Sequence, residues 1–559
     1  MVLLVGASAG FVREYSGDFH YHLVMGEKTL TSGAIYRVDD LSHTFAGQTM
    51  LPSAWLGDVV LALGFRAGGY VGDYVLRAVC LLLMLLCLTR EAKGQGLGPT
   101  ATAVLLLVLM AQSCLVFYLR PEIFAYLAFA ALYFVLGRPS RGPLWVLSWM
   151  TVLAAWANLH GSVVIGVMLM SCFAADRAWA ALRERAWKTA AWAAAWVPLA
   201  VLATLANPNG HLALFAGRIM NPSYLSHTAE WAPLSWARMP PLVLVAFAAA
   251  LSTVALGWRR ISIYRLGAAL VLVGLTLRHQ RFVTFALVAL VPLMARQLVE
   301  LGQQERLRRL GQVAMAVTAA TALWVLVGER KLFSELGLGL DRPSYPVAAC
   351  DFVRDAQPKG QLLNNYDFGS YLLFCQKAPV FIDQRAWSLF PEWFYRRYLD
   401  AGQPGQLDAL TAQYHLGWAF VKYDPLATAL ALDPPQWGLS YFDDQALIYV
   451  RRADNPSVRV FRYLDPFAFK RLDSLTGDAL AAAREELERQ HRRAPHAERT
   501  LLARAALAVA AGDDADYKLA EAELDARPLS AEALTVAATY ADRHGDHARA
   551  AALRKAAGY

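Results

Sequence analysis

The stretch Asp18–Asp58, DFHYHLVMGEKTLTSGAIYRVDDLSHTFAGQTMLPSAWLGD, is polar and rich in carboxylates, and it lies between apolar runs. It begins on an acid, carries His20 and His22, and turns at Gly33. It then presents the pair Asp39 and Asp40 and closes near Trp55, an indole suited to a membrane interface. A polar insert of this kind in an apolar chain is expected to be an external loop, taken as 13–58, and to carry the chemistry. The rest of the chain is then expected to hold, face or extend it.

Working outward, apolar runs follow at about 71–89, 100–118, 121–137, 143–158, 161–179, 187–206, 240–258, 264–277, 282–298 and 310–328. Several approach the ~20 residues that a membrane-spanning helix needs. The opening MVLLVGASAGFV has only about 12 apolar residues and lacks the basic start of a signal peptide. It is expected to be either the end of a helix that begins upstream, the reading preferred here, or a weak anchor. The spacing therefore predicts a polytopic α-helical membrane domain over 1–328, with about ten or eleven spans.

Basic residues alternate between the connections. Arg90 and Lys93, Arg138 and Arg141, Arg177 to Lys188, Arg259 to Arg265, and Arg296 to Arg309 all fall on one side, which the positive-inside rule makes cytoplasmic. The loop 13–58, the turn Arg120–Glu122, the turn Asn158–Ser162, the loop Asn207–Pro240 and the turn Arg278–Phe282 share the other face. The formal net charge of +8 is thus a topology signal, and nucleic acid is set aside as a partner. The six cysteines form no CxxC pair and no zinc spacing. Cys80, Cys87, Cys114 and Cys172 sit in or beside apolar runs. Cys350 and Cys375 can pair in an oxidising compartment, although nothing in the sequence fixes their separation.

From about Arg330 the pattern changes. Pro343, Pro346 and Pro358 break the helical period, and short runs such as APVFID, GWAFVKY and QALIYVRR alternate with helical ones. A soluble α/β domain is expected over 329–470, extracytoplasmic if the span count is odd, with Asp367, Asp383 and Arg385 at element ends. Beyond it, 471–559 repeats itself: Pro495 and Pro528, Leu501 and Leu534, Ala505 and Ala538, Gly512 and Gly545, and Asp513 and Asp546 recur at a period near 33. This resembles tetratricopeptide repeats, with alanine at most of the aromatic signature positions. So short an array is expected to pack on the α/β domain or on a protein partner.

The ordered motifs GDFHYHLVMGE, GAIYRVDDLSHT, AWLGD, YLRPEIFAYL, WANLHGS, LANPNG, AEWAPL, RHQRF, NNYDFGSYL and PVFIDQR resemble bacterial polytopic proteins of the C-type glycosyltransferase superfamily over roughly residues 1–450. The chain departs from the usual pattern at Asp40, Ser53 and Ala54. The resemblance implies an enzyme of the bacterial inner membrane that moves a sugar from a polyprenyl-phosphate donor to a glycan, lipid or protein acceptor. It implies an essential acid in the first external loop, and Asp18 stands at that position.

The chemistry requires a base for the acceptor hydroxyl as the anomeric carbon becomes cationic, and Asp18 is the candidate. It also requires cations at the membrane surface for the leaving phosphate, and Arg278, His279 and Arg281 close an outer helix end. His22, Asp39, Asp40, Glu122, His160 and Glu230 are candidate contacts for acceptor or donor. A plainer explanation stands beside each of the main candidates. Asp18 can be a helix N-cap, Glu122 a helix-start acid after Pro121, and His160 a structural interfacial histidine. Arg278 and Arg281 can snorkel to headgroups. Asp18 and His22 share a helix face at i, i+4, which permits a divalent metal, but two ligands do not define one, and no cofactor is assigned. The competing reading is a non-catalytic membrane scaffold, or a lipid-linked glycan transporter, whose helical tail recruits a partner. That reading calls for ionisable residues deep in the spans, and the sequence places most charges at span ends.

Overall fold

The computed structural model describes residues 2–14, 16–113, 117–138, 142–215, 226, 228–234, 241–256, 262–302, 305–329, 336–341, 344–525 and 530–558. Cys114, Arg141, Arg259, Arg260, Pro343 and Pro528 lie outside the described residues. The chain forms two compact units. One comprises Met1–Asp39, Gly47–Asp341 and Arg385–Tyr395; the other comprises Asp40–Ala46, Arg342–Gln384 and Arg396–Tyr559.

The first unit is helical, and among the described residues each apolar run of the sequence falls mainly on a helix. Among the described residues, Trp55–Gly94, Gly161–Arg183 and Gln280–Glu300 are long and apolar enough to cross a membrane. Pro99–Ser113, Glu122–Leu136, Pro143–Leu159, Val243–Ala255 and Met315–Gly328 are shorter apolar helices. Pro121 and Pro143 fix where two of these begin. A 15-residue helix such as Glu122–Leu136 rises only about 22 Å, less than the ~30 Å hydrocarbon core. Among the described residues this gives three helices of spanning length and five shorter apolar ones, where the sequence leads one to expect about ten or eleven spans, several of them near full length.

The helix Trp55–Gly94 is broken at Gly68 and Gly69, where Gly69 adopts φ +58°, ψ −144°. That backbone conformation is essentially restricted to glycine. The chain reverses there, and Gly72 packs so closely on Gly64 that a Cβ would lie 2.0 Å from the Gly64 carbonyl oxygen. After the break, Val71, Val75, Val79, Leu83 and Leu86 form a stripe between 38% and 48% exposed, while Tyr74, Leu81, Leu85 and Leu88 are buried. An apolar stripe facing outward at this spacing suits lipid rather than water. Asp73 and Arg77 are buried on the same helix, so the membrane body does hold charges away from its loops. They lie in the first turns after the break, and Arg77 pairs with Glu14 at 3.7 Å. The interior is otherwise aromatic: Phe129 meets Phe285 edge-on at 5.5 Å, and Trp156 stacks on Phe285.

The second unit contains a four-stranded sheet of order β1-β2-β4-β3, with β1 Gln361–Asn364, β2 Leu416–Val421, β3 Trp437–Phe442 and β4 Leu447–Arg451. The pair β1–β2 is parallel and the other two pairs are antiparallel. GWAFVKY and QALIYVRR supply β2 and β4 as the sequence predicts. APVFID is not a strand of this sheet: Pro379 has no N–H, and the Asn364 side chain takes the Phe381 N–H and the Ile382 carbonyl. Cys350 and Cys375 are joined by a disulfide, with their Cα atoms 6.5 Å apart.

The tail folds as helices Gly477–Arg493, Glu498–Ala511, Asp514–Asp525, Ala531–Arg543 and His547–Ala556. Gly512 and Gly545, one period apart, both take positive φ between paired helices. Tyr517 and Tyr540 stack at 3.6 Å. The tail packs on the sheet of its own unit, where the buried Gln490 side chain donates to the Phe442 carbonyl and Arg499 lies over the Tyr423 ring.

Candidate functional site

The site belongs to the first unit and is built from loop ends that the helices bring together. Gly57, two residues after Trp55, sits against the Pro121 ring and the Leu159 carbonyl; a Cβ there would lie 2.8 and 2.6 Å from them. This contact joins the AWLGD, RPE and NLHGS motifs. Trp55 Nε1 donates to Asn158 Oδ1 at 2.9 Å, so the indole read as an interface anchor is also a tether. Asn158 in turn donates to the Ala206 carbonyl, and Asn209 donates to the Pro52 carbonyl, which ties LANPNG to the same loop.

Asp18 occupies the residue before the helix Phe19–Ser32, yet its carboxylate does not cap that helix. Instead Asp18 Oδ2 lies 2.9 Å from Arg120 Nη1. Arg120 also donates from Nε to Ser16 Oγ at 2.7 Å, and from Nη2 and Nη1 to the two carboxylate oxygens of Glu230 at 2.9 and 3.4 Å. The Asp18 and Glu230 side chains are 24% and 36% exposed, and Arg120 between them is 14% exposed. Burial works against the Arg120 charge, but Asp18, Glu230 and Glu122 outweigh it and raise its pKa further. Burial likewise works to raise the Glu230 pKa, while Arg120 and Arg281 bring it below the usual carboxylate value.

A second ion pair lies alongside. Arg281 Nη2 is 3.2 Å from Glu122 Oε1, and its guanidinium covers the Trp231 ring at 4.5 Å. The Nδ1–H of His279 donates to the Trp231 carbonyl at 2.7 Å, which fixes that nitrogen as protonated and leaves Nε2 as the other functional nitrogen. His160 Nδ1 accepts from the Ser162 backbone N–H at 3.2 Å, so neutral His160 carries its proton on Nε2. Enclosure by its surroundings, and then the positive charges of Arg281, His22 and Arg120, push the His160 pKa down to about 3. His22 Nδ1–H donates to Asp58 Oδ1 at 2.6 Å.

Asp18, Glu122, His160, Glu230, His279 and Arg281 are therefore gathered at one end of the helices, with the charge of His22 felt at His160. Three candidates are not brought in. Asp39 is buried and ion-paired with the fully buried Arg385, and its carboxylate accepts from Tyr36. Asp40 belongs to the second unit, and Arg278 is exposed at its helix end. Among the described residues no group of three or more His, Cys, Asp or Glu could hold a metal ion; Asp18 and His22 turn to Arg120 and Asp58 instead. Sequence reasoning missed Arg120, Ser16, Asp58 and Trp231. Arg120 did carry a signal, a lone cation directly before Pro121 at the end of an apolar run.

No family model matches the chain, and no curated protein matches it. Several solved structures are similar at a distance, among them the three that follow. The chain is 15% identical to ArnT from Cupriavidus metallidurans in the apo state, with a TM-score of 0.48 over 80% of this chain and 96% of that one. Against ArnT from Cupriavidus metallidurans bound to undecaprenyl phosphate the identity is 14% and the TM-score 0.49, over 82% and 98%. Against the archaeal oligosaccharyltransferase AglB from Archaeoglobus fulgidus, in complex with an inhibitory peptide and a dolichol-phosphate, the identity is 11% and the TM-score 0.49, over 83% and 75%.

Proposed function

We propose that the protein is a membrane glycosyltransferase that moves a sugar from a polyprenyl-phosphate donor to the hydroxyl of an extracytoplasmic acceptor. The observation that carries this reading is the Asp18 carboxylate, which caps no helix and stands beside the Arg120 guanidinium at one end of an apolar helical body. In the proposed reaction a bond forms between the acceptor oxygen and the anomeric carbon as the bond from that carbon to the phosphate oxygen breaks. The acceptor proton passes to Asp18, and the polyprenyl phosphate departs with the bonding electron pair. Arg281, held over the Trp231 ring, and the His279 imidazole are suited to that leaving phosphate. Neutral His160, with its proton on Nε2, is suited to donate to a sugar or acceptor oxygen.

The Cys350–Cys375 disulfide supports an oxidising, extracytoplasmic setting for the second unit. The helix pairs of the tail, repeating near 33 residues, support a tetratricopeptide-like array whose free face is proposed to meet a protein partner. The test is transfer from radiolabelled polyprenyl-phosphate sugars by membranes carrying the full-length protein. Transfer by wild type and its loss in Asp18→Asn at equal expression support the reading. No transfer from a broad donor panel would favour the scaffold or transporter reading.

A further inference from the structure

Among the described residues, two guanidinium groups of the site are already engaged by carboxylates: Arg120 by Asp18 and Glu230, Arg281 by Glu122. An incoming phosphate therefore meets occupied cations. The three pairings differ in geometry. Glu122 and Asp18 each meet their arginine through a single close contact, whereas Glu230 presents both oxygens to both terminal nitrogens of Arg120. This two-pronged arrangement is how an arginine fork grips two oxygens of a phosphate. Glu230 is also the most exposed of the three acids, at 36% against 24% for Asp18 and 13% for Glu122, and it sits on a three-residue turn, Ala229–Trp231. Its carboxylate is the one that can be replaced from outside without dismantling the helices.

We infer that Glu230 occupies the phosphate position on Arg120 in the resting protein, as an internal mimic that a phosphate monoester anion must displace. The inference rests on the transferase reading and adds to it a second cation for the phosphate and a residue that sets donor affinity. A site that is competent only when Glu230 has left binds its ligand more weakly by the fraction of time it is open. Removing the Glu230 charge removes that penalty and leaves Arg120 in place. Because Trp231 follows Glu230 and carries Arg281 on its face, displacement of Glu230 also shifts the neighbour of the second cation.

The experiment is direct binding of radiolabelled polyprenyl phosphate to the purified full-length protein in detergent, without acceptor, with inorganic phosphate titrated in a parallel arm. Mimicry predicts that Glu230→Gln binds polyprenyl phosphate about five- to ten-fold more tightly than wild type. Glu230→Asp, whose carboxylate falls one methylene short of the fork, gains roughly two- to three-fold, which keeps the test open if the Gln variant does not fold. Arg120→Lys, which keeps the charge but loses the fork, binds more weakly than wild type. The same gain toward inorganic phosphate identifies the bare phosphate group as the ligand, and a gain confined to the lipid identifies the lipid phosphate; both support mimicry. If wild type binds and folded Glu230→Gln and Glu230→Asp bind equally or less well, Glu230 is a structural partner of Arg120 and the mimicry is overturned. Binding by neither wild type nor variants overturns the transferase reading itself.

Discussion

Arg120 sets what Asp18 and Glu230 can do, because removing it leaves two half-buried carboxylates facing each other without a counter-charge. Arg120→Ala is predicted to destabilise the protein by about 1–3 kcal/mol, less than for a fully buried pair because the acids remain partly hydrated. Thermal unfolding in detergent measures this, and a midpoint equal to wild type would show that the three charges are not coupled. His160 supplies a pH test. Its folded pKa near 3 lies below the unfolded value of 6.5, so on acidification the unfolded chain takes up the proton first. Stability is predicted to fall between pH 6.5 and 3 by roughly 1–2 kcal/mol from this residue, after discounting for its partial exposure. His160→Gln flattens that slope in a pH series of unfolding midpoints. Asp18 stands out in the sequence because it opens the polar stretch; its pairing with Arg120 does not, because the two acids on Arg120 lie 102 residues before it and 110 after it. Asp39 and Arg385 were legible as motifs but not as partners, since an ion pair 346 residues apart leaves no local pattern.

Helix positions could be read because hydrophobic periodicity is local, and the runs found in the sequence coincide with helices. The reversal at Gly68–Gly69 was not read, since FRAGGYVGD looks like the ordinary polar start of the next span. Gly69 stands in open space, so Gly69→Ala tests backbone conformation alone and is predicted to cost about 1–3 kcal/mol. Gly57 tests packing instead. A methyl group there presses on Pro121 and on the Leu159 carbonyl, and the turns carrying Glu122 and His160 must move. Gly57→Ala is predicted to cost about 1–3 kcal/mol and to lower sugar transfer at least ten-fold, because a displacement near 1 Å at a reacting centre costs about 100-fold. Unchanged transfer would mean that the contact does not position the site. APVFID, a short apolar run like those that form β2 and β4, stays out of the sheet, because propensity does not reveal that an asparagine side chain has already taken two of its backbone groups.

The molecule combines an apolar helical unit that carries the candidate chemistry with a second unit stapled by a disulfide. The bond spans a separation of 25 residues, and reducing it is predicted to cost the second unit about 3 kcal/mol. Limited proteolysis with and without reductant reads this out, with cleavage expected first in 342–384. The change from apolar to more polar composition near residue 330 is visible in the sequence. The assignment of Asp40–Ala46 to the second unit was not, because His43 and Thr44 find their partners at Leu362 and Phe381, more than 300 residues away. The most direct test of the whole account separates kcat from KM for Asp18→Asn with a polyprenyl-phosphate sugar that wild type uses. A general base predicts that kcat falls by about 100-fold or more while the donor KM stays within a few-fold and the unfolding midpoint holds. If kcat is kept, Asp18 is only a partner of Arg120 and the catalytic assignment is contradicted.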